Sequence, residues 1–189
     1  FTSGGRLVLL PFKSFAAGNL PDIDPPEFFL SLVPTQLQRL LSETTPSPHS
    51  LSRFHTVLLG GAPAWSDLLD TARRHNIRLA PTYGMTETAS QIATLKPDDF
   101  LAGKTGCGSV LPHAQIQICS PSGATLSPGQ IGIVTIQAAS LALGYYPEIC
   151  DRPQFQPDDL GYLDDQGYLH LVGRQSDKII TGGENVFPA

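Results

Sequence analysis

A change of hydrophobic pattern near residue 105 constrains the fold of this chain more than any other feature. Before it, short apolar runs alternate with amphipathic stretches; after it, short segments alternate strictly between apolar and polar residues. Residues 28–33 (FFLSLV) read as a buried strand ended by Pro34. Thr35 then occupies an expected helix N-cap, and Leu37, Leu40 and Leu41 fall at i, i+3 and i+4 on one face. After a polar loop, residues 56–59 form a second predicted strand that runs into Gly60-Gly61-Ala62-Pro63. Ser66 is expected to cap a helix carrying Leu68, Leu69 and Ala72. Arg73, Arg74 and His75 lie in its last turn, where cations suit the helix dipole. A third strand at 77–80 leads directly into Pro81-Thr82-Tyr83-Gly84-Met85-Thr86-Glu87. This β-α-β-α-β order predicts an α/β fold over residues 1–105, a parallel sheet with covering helices.

The second half reads differently. AQIQIC at 114–119 alternates and is followed by the turn Pro121-Ser122-Gly123; IGIVTI at 131–136 follows Pro128-Gly129. A further strand at 168–172 follows the turn Asp164-Asp165-Gln166-Gly167. Short alternating strands between Gly, Pro and Asp turns predict a small antiparallel, barrel-like β subdomain over 106–172. From Gly173 onward the chain is polar and glycine-rich.

Length and composition bound the rest. The 189 residues suffice for one ordinary domain or parts of two, and 41% hydrophobic content is enough for a core. A formal net charge of -5 gives no general reason to expect binding to nucleic acid or an anionic membrane. Cys107, Cys119 and Cys150 are widely spaced without metal-ligand spacing, which suggests buried or half-buried thiols in a reducing cytosol. His49, His55, His75, His113 and His170 are equally scattered, so no metal held by His or Cys is expected. No apolar run approaches the ~20 residues that span a bilayer, and a cytoplasmic location without membrane insertion is expected. The chain opens on Phe1 and stops within ENVFPA, so both ends are expected to be cuts in a longer protein.

Four segments can carry chemistry. In an open α/β sheet ligands bind beyond the carboxyl ends of strands, where GGAP and TYGMTE are expected to lie. Gly60-Gly61 lets backbone approach a flat ligand, although a plain β-α turn needs the same residues. Tyr83-Gly84 offers an aromatic face suited to a purine. Thr86 offers a hydroxyl for a phosphate oxygen, and Glu87 a hard carboxylate suited to Mg²⁺. Asp159, in Asp158-Asp159-Leu160-Gly161-Tyr162, is placed to accept both hydroxyls of a ribose, or to make an Asp-Gly turn. Arg174, in GRQSDK, can meet a phosphate or a sugar hydroxyl, or sit in a solvated turn.

YGMTE, DLGYLDDQGYLHLVGR and DKIITGGENVFPA, in this order and spacing, closely resemble the adenylate-forming superfamily of acyl-CoA synthetases, adenylation domains and luciferases. The resemblance covers nearly all the chain from residue 56. Within it, SLVPTQLQRLL (31–41), GGAPAW (60–65) and APTYGMTETASQIATL (80–95) look like the o-succinylbenzoate–CoA ligases of naphthoquinone (menaquinone or phylloquinone) biosynthesis. The resemblance implies an acid–thiol ligase using ATP, Mg²⁺ and coenzyme A as co-substrate. A small-molecule carboxylate is adenylated, and the coenzyme A thiol then displaces AMP. By motif match, Tyr83 would stack on adenine, with Gly84 and Met85 beside it and Gly61, Ala62 and Pro63 along its plane. Thr86 would contact the α-phosphate and Glu87 would hold Mg²⁺, the two together forming the catalytic pair. Asp159 would grip the ribose with Arg174 nearby. Ser176 and Asp177 would form the hinge within 173–189, at the start of a C-terminal domain, and Gly182 and Gly183 would line the pantetheine tunnel. Ser90 and Gln91 would face the acyl substrate.

The departures from the family are informative. Pro157-Asp158-Asp159 stands where the family has Thr-Gly-Asp, so only Asp159 carries over. The Ser/Thr/Gly-rich phosphate loop is not matched by Phe1-Thr2-Ser3-Gly4-Gly5, and Lys178 is not the late lysine that drives adenylation. The 189 residues alone are therefore expected not to make acyl-adenylate. Three readings remain open: an o-succinylbenzoate–CoA ligase fragment, another acyl- or aryl-CoA synthetase or adenylation domain, and a non-catalytic nucleotide-binding module. Association into a homo-oligomer is left open as well.

Overall fold

The computed structural model describes residues 4–19, 21–42, 48–149, 153–177, 179–181 and 184–186. The chain divides into two compact units, Phe1–Leu79 and Ala80–Ala189. Lys178, Gly182 and Gly183 lie outside the described residues, as does Cys150.

In the first unit, α1 (Phe12–Ala16) precedes β1 (Phe29–Leu32), α2 (Pro34–Ser42), α3 (Pro48–Ser52), β2 (Thr56–Leu59) and α4 (Ser66–Arg74). Strands β1 and β2 are parallel, with Phe29 opposite Thr56 and Leu32 opposite Leu59. The expected apolar stripe exists: Leu37 and Leu40 of α2 and Leu68 and Ala72 of α4 are buried, and the two helices pack on each other. Strand β2 is mostly buried, with Thr56, Val57 and Leu59 out of water, whereas β1 buries only Leu32 and leaves Phe29 and Ser31 exposed, short of the buried strand expected at 28–33.

Both helix starts depart from the sequence reading. Helix α2 begins at Pro34, so Thr35 lies inside it rather than capping it. Proline is preorganised for a first helical position and lacks only an N–H that has no helical partner there. The capping contact comes instead from Gln36, whose Oε1 accepts the Val33 N–H at 3.0 Å. Ser66 is likewise the first residue of α4, behind Trp65, and makes no capping bond. The C-terminal end is as read, with Arg73 and Arg74 in the last turn.

The second unit takes in all of β3 (Leu79–Met85) but its first residue, followed by β4 (Ser90–Thr94), α5 (Pro97–Leu101) and β5 (Ser109–Val110). It continues with β6 (Ala114–Cys119), β7 (Gly132–Ala138), β8 (Asp159–Leu163), β9 (Leu169–Arg174), β10 (Ile179–Thr181) and β11 (Glu184–Val186). Strand β3 is longer than the predicted 77–80 and takes in Thr82-Tyr83-Gly84-Met85. The reason is β4, which the sequence did not mark: it pairs antiparallel with β3 and then with β5. Strands β6 to β9 form a four-stranded antiparallel sheet in sequence order. Strand β6 matches the expected 114–119, and β7 and β9 start one residue later and end two residues further on than expected. Among the described residues no pairing joins β6 to β9, so no closed barrel forms; the β9 edge is instead met by residues 107–109, where Ser109 bridges Tyr168 and the Leu169 N–H donates to Gly108 O at 2.9 Å. The sheet's apolar face, with Ile116, Ile118, Val134, Ile136 and Leu169, packs in one cluster with Tyr83, Ile92 and Ala93.

Candidate nucleotide site

In the first unit, Gly61, Ala62 and Pro63 follow β2 in an exposed bend. Gly61 has φ +84°, a backbone region that residues with a Cβ rarely enter. Just before it, the Gly60 N–H donates to Leu32 O at 3.2 Å, one residue beyond the β1–β2 ladder.

All other described candidates belong to the second unit. Tyr83 is buried on β3, and its hydroxyl donates to Asp159 Oδ2 at 2.6 Å. Asp159 opens β8 directly opposite Arg174 at the end of β9. The Arg174 Nε lies 3.6 Å from Asp159 Oδ1. The structure thus joins Tyr83, Asp159 and Arg174 around one carboxylate. Burial first, and then the hydrogen bond to the charged Asp159, push the Tyr83 hydroxyl well above the ordinary phenol range. The hydroxyl therefore stays protonated and remains a donor. Arg174 is 67% exposed, so its ion pair with Asp159 adds at most about 1 kcal/mol to stability.

Cys107 was not singled out as a site residue, yet it lies close enough to Asp159 to feel its charge. Burial, and secondarily that charge, push the thiol up to about 12, so it stays neutral and is a poor nucleophile.

The second cluster is the turn between β3 and β4. Thr86 and Glu87 open a single 3₁₀ turn, Thr86–Thr88, and Ala89 closes it in the left-handed region at φ 55°. Ser90 follows at φ 134°. Such non-glycine conformations cost roughly 1–3 kcal/mol each and persist only where surrounding contacts hold them. Gly84 is required by proximity rather than by φ: a Cβ there would lie 2.1 Å from the Ser90 carbonyl oxygen. The β3–β4 register also shifts between Tyr83 and Gly84, so the two backbones close together beside the turn.

Glu87 is held from the far side by a segment 58 residues away: the Tyr145 hydroxyl donates to its Oε1. The Ala142 N–H donates to the Glu87 carbonyl at 2.7 Å. The Tyr145 bond is the main cause that holds the Glu87 carboxyl below the usual range, so it is ionised at neutral pH. Ser90 is exposed at the start of β4, and Gln91 sits opposite Gly84.

Ser176 and Asp177 lie in an exposed bend after β9. Asp158 ties that bend down: its Oδ2 accepts the Ser176 N–H at 3.1 Å and its carbonyl accepts the Gln175 N–H at 2.8 Å. The Ser176 hydrogen bonds hold the Asp158 carboxyl below its usual range.

Three participants escaped the sequence reading, namely Thr88, Tyr145 and Asp158. Tyr145 and Asp158 act on partners 58 and 18 residues away. Thr88 acts locally, but its flanks carry no glycine or asparagine to announce a turn.

The donor set fits a nucleotide-borne Mg²⁺ better than a protein cage. Among the described residues no group of three or more His, Cys, Asp or Glu gathers to hold a metal. Glu87 and the Thr86 hydroxyl are hard oxygen donors, and Mg²⁺ is commonly held by one or two carboxylates with substrate phosphates completing its shell.

The chain is similar in sequence and fold to known proteins. A family model described as AMP-binding enzyme matches residues 1–146. The 2-succinylbenzoate–CoA ligase of Oceanobacillus iheyensis is 39% identical over 166 residues, covering 85% of this chain and 34% of that protein. The o-succinylbenzoate CoA synthetase (MenE) of Bacillus subtilis, in complex with the acyl-adenylate intermediate OSB-AMP, superposes with a TM-score of 0.75. It is 34% identical, and the match covers 85% of this chain and 34% of that one. The same enzyme in complex with ATP and magnesium ion gives a TM-score of 0.73 at 35% identity, with 85% and 34% covered. The chain spans about a third of the length of the relatives it matches. Matched over most of its length, it belongs to the AMP-binding enzyme family.

Proposed function

We propose that the chain is part of an ATP-dependent acid–thiol ligase that activates o-succinylbenzoate in naphthoquinone biosynthesis, in the cytoplasm. A carboxylate is a poor acyl donor because its leaving group would be oxide. Attack of a carboxylate oxygen on the α-phosphorus of ATP expels pyrophosphate and gives a mixed anhydride. The thiol of coenzyme A then adds to the acyl carbon, AMP leaves, and a thioester remains.

The observation that supports this reading most is that Tyr83 and Arg174 converge on the Asp159 carboxylate, Tyr83 from 76 residues away in sequence. In the proposed roles, Asp159 accepts the ribose hydroxyls, Arg174 stands beside them and Tyr83 supplies the adenine wall. Thr86 donates to the α-phosphate. Glu87 holds Mg²⁺, which neutralises phosphate charge when bound. Ser90 and Gln91 face the acyl group. Residues 1–105 and 106–172 form the proposed subdomains, and Ser176 and Asp177 the hinge, with Gly182 and Gly183 on the coenzyme A path.

The test is a coupled thioester assay of the full-length gene product against a panel of carboxylates. The expected result is ATP- and coenzyme A-dependent turnover, fastest with o-succinylbenzoate. Preference for another acid moves the protein to a different acyl- or aryl-CoA synthetase. AMP formation followed by transfer to a carrier protein marks an adenylation domain. Nucleotide binding without turnover of any acid leaves the non-catalytic module.

A further inference from the structure

Thr86 and Glu87 lie on a turn that its own sequence disfavours, with Ala89 at φ 55° and Ser90 at φ 134°. One side chain holds the two ends of that turn together. Thr88 is 1% exposed, and its Oγ1 lies 3.0 Å from the Met85 N, 3.0 Å from the Met85 O and 2.6 Å from the Ser90 O. A hydroxyl has one proton and two lone pairs. The Met85 N–H therefore donates to Thr88, and the single Thr88 proton goes to the nearer carbonyl, that of Ser90. The hydroxyl thus bridges the last residue of β3 to the first of β4.

We propose that Thr88 is a positioning residue, which fixes the direction of Thr86 and Glu87 by clamping Met85 to Ser90. The proposal rests on the reading that Glu87 holds the nucleotide's Mg²⁺. Glu87 is one residue from the clamp and is held on its other side through the Tyr145 hydroxyl and the Ala142 N–H. Without the Thr88 bridge, the turn can relax out of the left-handed region, and the carboxylate loses its aim before the fold is lost. The methyl group of Thr88 fills buried space independently of its hydroxyl, so the two contributions can be separated by substitution.

The experiment compares Thr88→Val, which keeps the shape and removes the hydroxyl, with Thr88→Ser, which keeps the hydroxyl, in the full-length protein. Two quantities are measured: the thermal midpoint, and the Mg²⁺ concentration that half-saturates ATP binding by calorimetry without carboxylate substrate. Thr88→Val is expected to raise the half-saturating Mg²⁺ about fivefold, the size of one lost hydrogen bond. Thr88→Ser is expected to stay within about twofold of wild type. Where Thr88→Val does not fold, Thr88→Ala takes its place with the same expectation. A lowered midpoint with an unchanged Mg²⁺ curve would make Thr88 a fold staple and overturn the proposal. Glu87→Gln separates the two readings. If it raises the Mg²⁺ requirement while Thr88→Val does not, only the positioning role fails. If Glu87→Gln leaves the Mg²⁺ curve unchanged, the metal assignment fails and the role of Thr88 fails with it.

Discussion

Asp164 illustrates how much a single carboxylate can organise. Its Oδ1 accepts the N–H groups of Gln166 and Tyr168, both at 2.9 Å, and its Oδ2 meets His170 Nε2 at 3.0 Å. His170 in turn stacks on Tyr162 with ring centroids 4.7 Å apart. Burial pushes the Asp164 carboxyl up, but the bonds from Tyr168, His170 and Gln166 outweigh it and hold the group below its usual range. A carboxyl depressed in the folded state adds stability that is present above its unfolded pKa, about 3.9, and is lost as pH falls through the lower folded value. Asp164→Asn should therefore cost about 1 kcal/mol near neutrality after solvent screening. The gap to wild type in urea unfolding should close as the pH drops below about 4. A gap of constant size across pH would mean that the charge is not what the turn uses. The sequence announced this turn through Asp164-Asp165-Gln166-Gly167, because an Asp that bonds backbone two residues on leaves a local signature. It did not announce the His170 and Tyr162 contacts, which arise only once β8 and β9 pair.

Among the elements, β3 and β4 separate most clearly what was legible from what was not. The motif TYGMTE stood out as a candidate site because its residue types fit phosphate, metal and base. Its conformation was not, since β4 carries no glycine, proline or asparagine turn before it and alternates over only a few residues. The antiparallel ladder places Tyr83, Gly84 and Met85 inside a strand, and the turn starts only at Thr86. Gly84 is then a packing requirement of the sheet as much as part of a binding motif. Gly84→Ala should destabilise the fold by about 3 kcal/mol, because the new methyl meets backbone that cannot swing aside. The urea midpoint of the full-length protein would report the loss. A variant of unchanged stability would show that the strands separate here at little cost. The helix starts teach the same lesson on a smaller scale. Thr35 and Ser66 have the right chemistry for caps, but proline at 34 moved the first start by two positions and the extended Trp65 moved the second by one.

For the molecule as a whole, the order of motifs was readable because each is short and chemically specific, while the pairings that join them were not. The α/β first part, the antiparallel second part and the order of the candidate nucleotide motifs were all visible; β4, the bridge from Ser109 to Tyr168 at the β9 edge and the Tyr145 and Asp158 contacts were not. Asp158 stands where the family pattern has glycine, and only a side chain there can reach the Ser176 N–H. At the hinge we propose, this bond opposes movement. Asp158→Gly should speed hydrogen exchange at the Ser176 amide about fivefold and leave the β9 amides unchanged. Unaltered exchange at Ser176 would mean that the bond does not restrain the bend. The Tyr83–Asp159 contact, finally, sets a schedule for protein synthesis. Its partners are 76 residues apart, so a ribosome adding ~5–20 residues per second makes the tyrosine roughly 4–15 s before the aspartate. During that interval β3 and β4 can already pair, but no carboxylate waits for the phenol or for a ribose. A nascent chain released early would keep Tyr83 without the Asp159 carboxylate, so under the roles proposed above nucleotide added during translation cannot rescue it.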